Sequence, residues 1–169
     1  MWIQSFDDFL SNKKKDGVDL ITLHWTVGNY DQIFNDDYHF QIKGNGAIWA
    51  DPRGFDAQGH FVPLAHAWHH NSKNIGISLC AMMGAHQPLT FVPKQLGDTI
   101  TMYGDYPPQR IQYDVMCALV AKLMKHYNLQ LPQIKTHYDL AQEDGYPGER
   151  WEFKYEKPLI MAHIKELIS

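Results

Sequence analysis

Two histidines occupy positions where side chains of α/β proteins commonly do chemistry. His24 ends an apolar run that starts at Leu20, and His137 ends a similar run that starts at Gln133. If both runs are strands, both histidines stand at the rim of a sheet, where sites of α/β proteins usually form. Histidine is a common metal ligand and a common acid or base near neutral pH. A catalytic zinc needs three protein ligands and one open position, so a third ligand, for which a carboxylate is acceptable, must come from elsewhere in the chain.

The other histidines have less informative surroundings, although ten in 169 residues is an unusually high number. Four lie among polar residues or at helix ends, and we expect them on the surface: His60, His86, His126 and His163. His39 alternates with Tyr38 in a predicted strand, so only one of the two side chains faces a given side. His66 and His70 lie in a predicted loop, where a histidine can line a site but is more often solvated.

Hydrophobic spacing predicts the elements that must position these side chains. Apolar or alternating runs predict strands over 18–26, 38–42, 47–50, 74–83 and 133–137. The Asn45-Gly46 pair predicts a tight turn between the second and third of these strands. Helical spacing predicts helices over 2–10, 111–127 and 158–168. Polar or turn-forming composition predicts irregular structure over 51–74, 84–108 and 141–153. The predicted fold class is therefore α/β (α+β), a central mixed β-sheet flanked by helices, in a single domain over 1–169.

The charge balance argues against a nucleic-acid-binding protein. Fifteen Lys and Arg against nineteen Asp and Glu give a net charge of −4, whereas a protein that binds phosphates of nucleic acid is usually basic.

No apolar stretch approaches the roughly 18 residues that a membrane span needs, so we expect no membrane insertion. The first residues lack a signal-peptide pattern, so we expect synthesis in the cytoplasm. Cys80 and Cys117 lie in apolar runs and are expected to be buried free thiols, and the protein is expected to be a monomer.

Four segments of the chain occur in a recognisable order. They are Ile21-Thr22-Leu23-His24-Trp25-Thr26, Tyr38-His39-Phe40-Gln41-Ile42-Lys43-Gly44-Asn45-Gly46, Ala67-Trp68-His69 followed by Asn74-Ile75-Gly76-Ile77-Ser78-Leu79, and Thr136-His137-Tyr138-Asp139-Leu140-Ala141. Together they resemble the zinc-dependent N-acetylmuramoyl-L-alanine amidases, the family that includes phage lysozyme-like amidases and peptidoglycan recognition proteins. Each segment alone is a weak signal, but the ordered set is specific and extends over most of the chain. The resemblance implies the fold of that family.

The resemblance also implies one catalytic Zn²⁺ ion held by His24, His137 and a third ligand. In the family a lysine commonly follows the second histidine, with Asp or Cys two residues later as the third ligand. The nearest match here is residues 150–152, which makes Glu152 the favoured ligand and Arg150 the candidate cation for negative charge in the transition state. Asp144 is the competing ligand. The spacing is longer than in compact members and implies an inserted loop over 142–149.

Acid–base and substrate-binding groups follow from the same resemblance. Many family members carry a glutamate after the Ile-Gly-Ile strand, where this chain has Ser78. Members without that glutamate use a tyrosine, so Tyr38 is the candidate to orient the water or move its proton. Arg150 is unsuited to that role because arginine stays protonated in proteins. The candidate substrate-binding residues are Trp25, Trp68 and His69.

The implied activity is hydrolysis of the amide between N-acetylmuramic acid and L-alanine, so peptidoglycan or a muropeptide is the expected partner. The first expectation is a phage or prophage endolysin that acts on the cell wall after release. A cytosolic muropeptide-recycling amidase and a secreted antibacterial effector are alternatives with the same chemistry. A non-catalytic peptidoglycan-binding module is a further alternative, and the open identity of the third ligand leaves room for it.

Overall fold

A five-stranded mixed sheet forms the centre of the computed structural model, which describes residues 1–86, 92–98, 104–145 and 151–169. The strands are β1 (Leu20–Trp25), β2 (Phe40–Ile42), β3 (Ile48–Ala50), β4 (Asn74–Leu79) and β5 (Ile134–Thr136). They stand in the order β3-β2-β4-β1-β5. β1 pairs in parallel with β4 and β5, β2 pairs in parallel with β4, and β3 is antiparallel to β2. With the helices below, this sheet confirms the predicted fold class.

The helices of the described residues are α1 (Phe6–Ser11), α2 (Arg110–Tyr127), α3 (His137–Glu143) and α4 (Lys157–Ile168), with a short 3-10 helix at Leu131–Gln133. A capping box between Gln109 and Gln112 starts α2, and Asn128, in the left-handed conformation, ends it. α4 packs on α2. Over the described residues, no helix combines the length and the apolar character that crossing a membrane would require.

The two faces of the sheet differ in chemistry because successive strand residues point to opposite faces. On one face the register aligns Leu23 of β1 with Ile77 of β4, and Ile77 with Phe40 of β2. All three side chains are buried in one core cluster with Met116 and Val120 of α2. We call this side of the sheet the apolar face.

The opposite face is polar and is nevertheless buried. The register aligns Thr22 with Gly76 and His24 with Ser78, and the Thr22, His24 and Ser78 side chains are at most 1% exposed. His66, from the segment between β3 and β4, lies directly against Gly76. Buried polar groups normally need hydrogen-bond partners, so this polar face must be covered by groups that supply them.

The first predicted helix begins later than the apolar spacing suggests. α1 starts at Phe6, after Ser5 accepts a hydrogen bond from the backbone N–H of Asp8 and caps the helix. Trp2 instead forms a β-bridge with Trp49 at the edge of the sheet. The apolar residues at the start of the chain therefore serve two different elements.

The segment around His137 also differs from the prediction. His137 is predicted to end a strand, but it is the first residue of α3. Thr136 accepts a hydrogen bond from the backbone N–H of Asp139, whose carboxylate accepts one from the backbone N–H of Thr136. This capping box starts a helix that extends to Glu143, into the range 141–153 for which the composition predicts irregular structure. The first residues of the expected inserted loop are therefore helical. The rest of that expected loop lies partly outside the described residues.

Both cysteines are buried free thiols, as predicted. Burial raises the pKa of Cys80 and of Cys117 to about 12. Both thiols are therefore protonated near neutral pH and are poor nucleophiles.

Candidate active site

Three side chains from distant parts of the chain converge at one end of the sheet. Nδ1 of His24 lies 3.1 Å from Nδ1 of His137, which lies 3.0 Å from Oε1 of Glu152. The third distance, from Nδ1 of His24 to Oε1 of Glu152, is 3.9 Å. His24 and Glu152 are buried and His137 is half-buried, so the cluster opens to solvent on the side of His137.

The parallel pairing of β1 with β5 brings the two histidines together. Leu23 of β1 is in register with Thr136 of β5, and each histidine is the next residue of its chain segment. Because parallel strands end at the same edge of the sheet, His24 and His137 lie next to each other at that edge. The capping box at Thr136 then fixes the turn from which His137 projects.

Glu152 is positioned by the residue that follows it. Phe153 has a φ of +59°, a left-handed conformation that is uncommon for a bulky residue. Its ring is fully buried and makes edge contacts with Trp25, at 5.4 Å between centroids, and with Tyr113, at 6.0 Å. The core thus holds Phe153 on the apolar face while the turn directs Glu152 toward the histidines.

The histidines also control the charge of Glu152. Burial alone would raise the pKa of this carboxyl, but the hydrogen bond with His137 and the positive charge of the two histidines lower the pKa to about 2. Glu152 is therefore ionised near neutral pH. Its second oxygen, Oε2, is buried and has no hydrogen-bond partner among the described residues. A buried anionic oxygen without a partner is costly, and a cation in the cluster would offset that cost.

The donor set fits a zinc ion. Zinc prefers four ligands in a tetrahedron, with bonds of about 2.0–2.2 Å to imidazole nitrogen and carboxylate oxygen, which places neighbouring donors about 3.3–3.6 Å apart. The three distances here, 3.1, 3.0 and 3.9 Å, lie on both sides of that range. Two imidazoles and one carboxylate also leave one position open, as a catalytic site requires.

Two further predicted groups lie next to His24. The Tyr38 ring is 5.1 Å from the His24 ring, and the Tyr38 hydroxyl donates a long hydrogen bond of 3.4 Å to the backbone carbonyl of Trp25. Ser78 stands beside His24 in the register of β4, and its hydroxyl oxygen is buried without a hydrogen-bond partner among the described residues. Tyr38 is half-buried, so of the two it is the one that solvent and substrate can reach.

A cavity of about 460 Å³ lies beside the cluster. Its lining joins the loop before β4 with α3: Ala65, His66, Ala67, Trp68, Asn71, His137, Leu140, Ala141 and Asp144. Trp68 is 73% exposed and presents its ring at the mouth. Asp144, the competing ligand, is instead hydrogen-bonded to Nε2 of His70 at 2.9 Å, and the metal-type cluster found among the described residues does not include it.

Of the three predicted substrate-binding residues, Trp68 lines the cavity, whereas Trp25 and His69 do not. Trp25 is 2% exposed and packs on Phe153 in the apolar core, so the prediction that it contacts substrate is wrong. The reason is strand alternation, since the residue after His24 must point to the opposite face. His69 is exposed, packs against Trp68 and is not part of the cavity lining. Arg150 lies outside the described residues.

The other histidines are partly as predicted. His60 and His86 are exposed, whereas His126 and His163 are half-buried. His39 is fully buried, with Nδ1 accepting the N–H of Gly76 and Nε2 donating to the carbonyl of Val62. Burial lowers the pKa of His39 to about 4, so this imidazole is neutral and structural.

Sequence reasoning missed the contact between His66 and His24. His66 is 7% exposed, and its Nδ1 lies 3.0 Å from Nε2 of His24. Burial, and then the positive charge of His24, hold the pKa of His66 well below its usual range. The only signal in the sequence was the alternation of small and polar residues in β4, Asn74, Gly76 and Ser78, which indicates a polar face covered by another segment.

Comparisons with known proteins agree with this architecture. The family model described as N-acetylmuramoyl-L-alanine amidase matches residues 13–149, a range that includes both histidines and ends before Glu152. The structure of N-acetylmuramoyl-L-alanine amidase LysC from Clostridium intestinale URNW has a TM-score of 0.54, with 20% identity, over 89% of this chain and 87% of its own. The structure of PlyL has a TM-score of 0.53, with 13% identity, over 96% of this chain and 92% of its own.

At these identities the structural similarity concerns the fold. No curated protein shows a significant sequence match. The family model covers most of the sequence and thereby confirms the resemblance. The chain belongs to the N-acetylmuramoyl-L-alanine amidase family.

Proposed function

We propose that this protein is a zinc-dependent amidase that hydrolyses the amide between N-acetylmuramic acid and L-alanine in peptidoglycan. The observation that carries the proposal is the convergence of His24 Nδ1, His137 Nδ1 and Glu152 Oε1 beside an open cavity. A module that only binds peptidoglycan has no use for a complete ligand set with an open position.

His24, His137 and Glu152 would hold the zinc ion. Bound there, zinc supplies a Lewis acid and lowers the pKa of a coordinated water to about 7. Ligands must be deprotonated to bind a metal, and the lowered pKa of Glu152 keeps its carboxylate ionised well below neutral pH. Phe153 fixes the turn that presents this carboxylate. The Glu152 side chain is therefore already positioned before the metal binds.

Tyr38 is the group that we propose to orient the attacking water and move its proton. Its ring contacts His24, and its hydroxyl donates a hydrogen bond of 3.4 Å to the backbone carbonyl of Trp25. A hydrogen bond of that length is weak and is readily exchanged for one to water or substrate. Ser78 is fully buried and unsuited to the same role.

The cavity beside His137 is where we propose that the scissile end of the substrate binds. A volume of about 460 Å³ suits a muramoyl residue with the first part of its peptide stem, since small-molecule sites span roughly 300–1,000 Å³. The exposed ring of Trp68 offers an apolar surface for a sugar at the mouth. Leu140 and Ala141 supply part of the apolar lining, and the proposed metal ligand His137 lines the same cavity.

We further propose that the biological role is that of a phage or prophage endolysin, which acts on the cell wall after release from the host cytoplasm. The support is the resemblance of its ordered motifs to phage lysozyme-like amidases. A recycling amidase and an antibacterial effector share the chemistry and differ in the substrate that they meet.

Mass spectrometry of digested sacculi tests the activity. We expect stems with free L-alanine amino termini, no new reducing sugars, loss of release with a chelator and recovery with added Zn²⁺. New reducing ends alone would overturn the proposal in favour of a glycosidase. Binding to sacculi without release of stems would instead identify a binding module.

A second assay separates the biological roles. The initial rates on crosslinked sacculi and on soluble muropeptides are compared at equal concentrations of scissile amide. An endolysin releases stems from the crosslinked wall at a rate comparable to that on fragments. A recycling amidase cleaves the fragments and leaves the intact wall largely uncut.

A further inference from the structure

We propose that His66 is a positioning residue that fixes the tautomer of His24, so that Nδ1 of His24 presents its lone pair toward His137 and Glu152. The inference rests on the metal site of the proposed function and is independent of the substrate. Nothing in the chemistry of His66 itself requires contact with metal or peptidoglycan.

The direction of the hydrogen bonds follows from a backbone carbonyl. Nε2 of His66 lies 2.9 Å from the carbonyl oxygen of Asn74, which can only accept, so Nε2 of His66 carries the hydrogen. In a neutral imidazole the other nitrogen, Nδ1, is then an acceptor. Nδ1 of His66 lies 3.0 Å from Nε2 of His24, so Nε2 of His24 is the donor. The lone pair of His24 is therefore at Nδ1, the atom that lies 3.1 Å from Nδ1 of His137.

His66 is held in place by two asparagines. The backbone N–H groups of His66 and Ala67 donate to Oδ1 of Asn71, at 3.0 and 2.8 Å. The side chain of Asn74 accepts from the hydroxyl of Thr22 at 2.9 Å and donates to the carbonyl of His70 at 2.7 Å. The loop that carries His66 is thus fastened to the polar face of β1 and β4.

Gly76 provides the space in which the His66 ring lies. A Cβ atom at Gly76 would stand 2.6 Å from Cγ and 2.7 Å from Nδ1 of His66, closer than such contacts occur. These ring atoms belong to a side chain fixed at both nitrogens, so the ring could not move without breaking a hydrogen bond. The glycine is therefore required by the position of His66.

This arrangement differs in kind from a ligand contact. Metal-bound histidines commonly donate their second N–H to a neighbouring group, which selects the tautomer and orients the ring. Here that neighbour is a second imidazole, whose own tautomer is set by the main chain of β4. Loss of such an outer partner typically weakens metal affinity by roughly 10–100-fold.

Zinc affinity of three His66 variants of the full chain tests the proposal, measured by competition with a chromogenic chelator. His66→Leu removes both hydrogen bonds, and we expect affinity to fall by roughly 10–100-fold. His66→Asn keeps an acceptor near the position of Nδ1 and should recover much of that loss, whereas His66→Gln, whose amide reaches toward the position of Nε2, should not. A role in filling space predicts the opposite order, because glutamine is closer than asparagine to histidine in size.

Two controls separate the hydrogen-bond chain from general damage. His60→Leu replaces an exposed loop histidine and should leave zinc affinity unchanged. Gly76→Ala should weaken zinc binding without touching a ligand, whereas Ser78→Ala, a change of one atom on the same strand and face, should not.

Nitrogen NMR of the zinc-loaded chain measures the tautomer directly. We expect His24 to be protonated at Nε2 and metal-bound at Nδ1. Binding through Nε2 of His24, unchanged affinity in His66→Leu, or a wild-type chain that does not bind zinc would each overturn the inference. Failure of the proposed amidase activity is distinguishable, because a chain that binds zinc in a His66-dependent way but releases no stems contradicts only the proposed reaction.

Discussion

The two faces of the central sheet are equally buried but are held by different interactions. On the apolar face, Leu23, Ile77 and Phe40 pack against α2 in one cluster of aliphatic and aromatic side chains. On the polar face, Thr22 is hydrogen-bonded to Asn74 of the neighbouring strand β4, and His24 to His66 of the loop that covers the sheet. The same three strands thus supply an ordinary core on one side and an ordered row of donors and acceptors on the other.

This difference in interactions implies that the apolar face determines stability, whereas the polar face determines the geometry of the metal site. Packing on the apolar face depends little on the exact orientation of each side chain, because hydrophobic burial is non-directional and scales with area. The hydrogen bonds on the polar face are directional, and each buried polar group there depends on its partner. We therefore expect substitutions on the apolar face to change the free energy of unfolding and those on the polar face to change metal binding and turnover.

The largest expected effect comes from the third ligand. Glu152→Gln keeps the shape but removes the anionic donor, so we expect zinc affinity and turnover to fall by more than the roughly 10–100-fold that an outer partner costs. Chelator competition and stem release from sacculi measure the two quantities. Asp144→Asn, at the competing carboxylate, is the matched control and should retain zinc. Retention of zinc by Glu152→Gln and its loss from Asp144→Asn would exchange the two assignments.

Tyr38→Phe tests the catalytic role on the same face without disturbing the ligands. A proton-transfer group typically contributes about 10²–10⁴-fold, so turnover should fall within that range while zinc affinity stays unchanged. The ring contact with His24 is kept in this variant, which makes it the cleaner substitution. Full activity in Tyr38→Phe would exclude the role proposed for the hydroxyl.

Phe153→Ala is the variant on the apolar face that we expect to change both the unfolding free energy and the zinc affinity. The ring is fully buried in the apolar core, and its loss should cost about 3–5 kcal/mol of unfolding free energy in denaturant titrations. Because Phe153 also fixes the turn that presents Glu152, zinc affinity should fall as well. Ile77→Ala, in the same core but on strand β4 rather than in that turn, should cost about 2–5 kcal/mol and leave zinc affinity unchanged. Equal zinc affinity in both variants would show that the turn is held by other contacts.

Glu156 is an ionisable group on the apolar side, just before α4. Burial raises the pKa of its carboxyl from 4.5 to about 7. The folded state therefore holds this proton more tightly than the unfolded state, and the charged form destabilises the fold. The stability cost is absent below about pH 4.5, grows as the pH rises and is complete above about pH 7, where it reaches about 3 kcal/mol.

Glu156→Gln should accordingly raise the unfolding free energy at pH 8 and leave it nearly unchanged at pH 4.5. The quantity to measure is the difference between variant and wild type in denaturant titrations across that interval, since other groups titrate in both proteins. A difference that does not vary with pH would mean that the carboxyl has the same pKa in the folded and unfolded states.

Much of this arrangement was open to prediction from the sequence, and the exceptions have physical causes. The apolar runs predicted the strands, and parallel pairing made His24 and His137 neighbours. Strand alternation alone should have assigned Trp25 to the core, because its predecessor faces the site. Glu152 could be proposed only from a family resemblance, since nothing in the residues reveals the left-handed turn at Phe153 that directs it. His66 was beyond reach because a loop contact with a strand depends on the tertiary fold.

The smallest expected effect is that of Trp68→Ala, and Trp25→Ala is its matched comparison in the core. Trp68→Ala removes a ring that is 73% exposed, so the unfolding free energy should change by no more than about 0.5 kcal/mol. If the ring binds sugar equally in the ground state and transition state, KM on soluble muropeptides should rise several-fold with kcat unchanged. Trp25→Ala, 2% exposed, should cost about 3–5 kcal/mol and show no selective effect on KM. An unchanged KM in Trp68→Ala would contradict the proposed contact between this ring and the sugar.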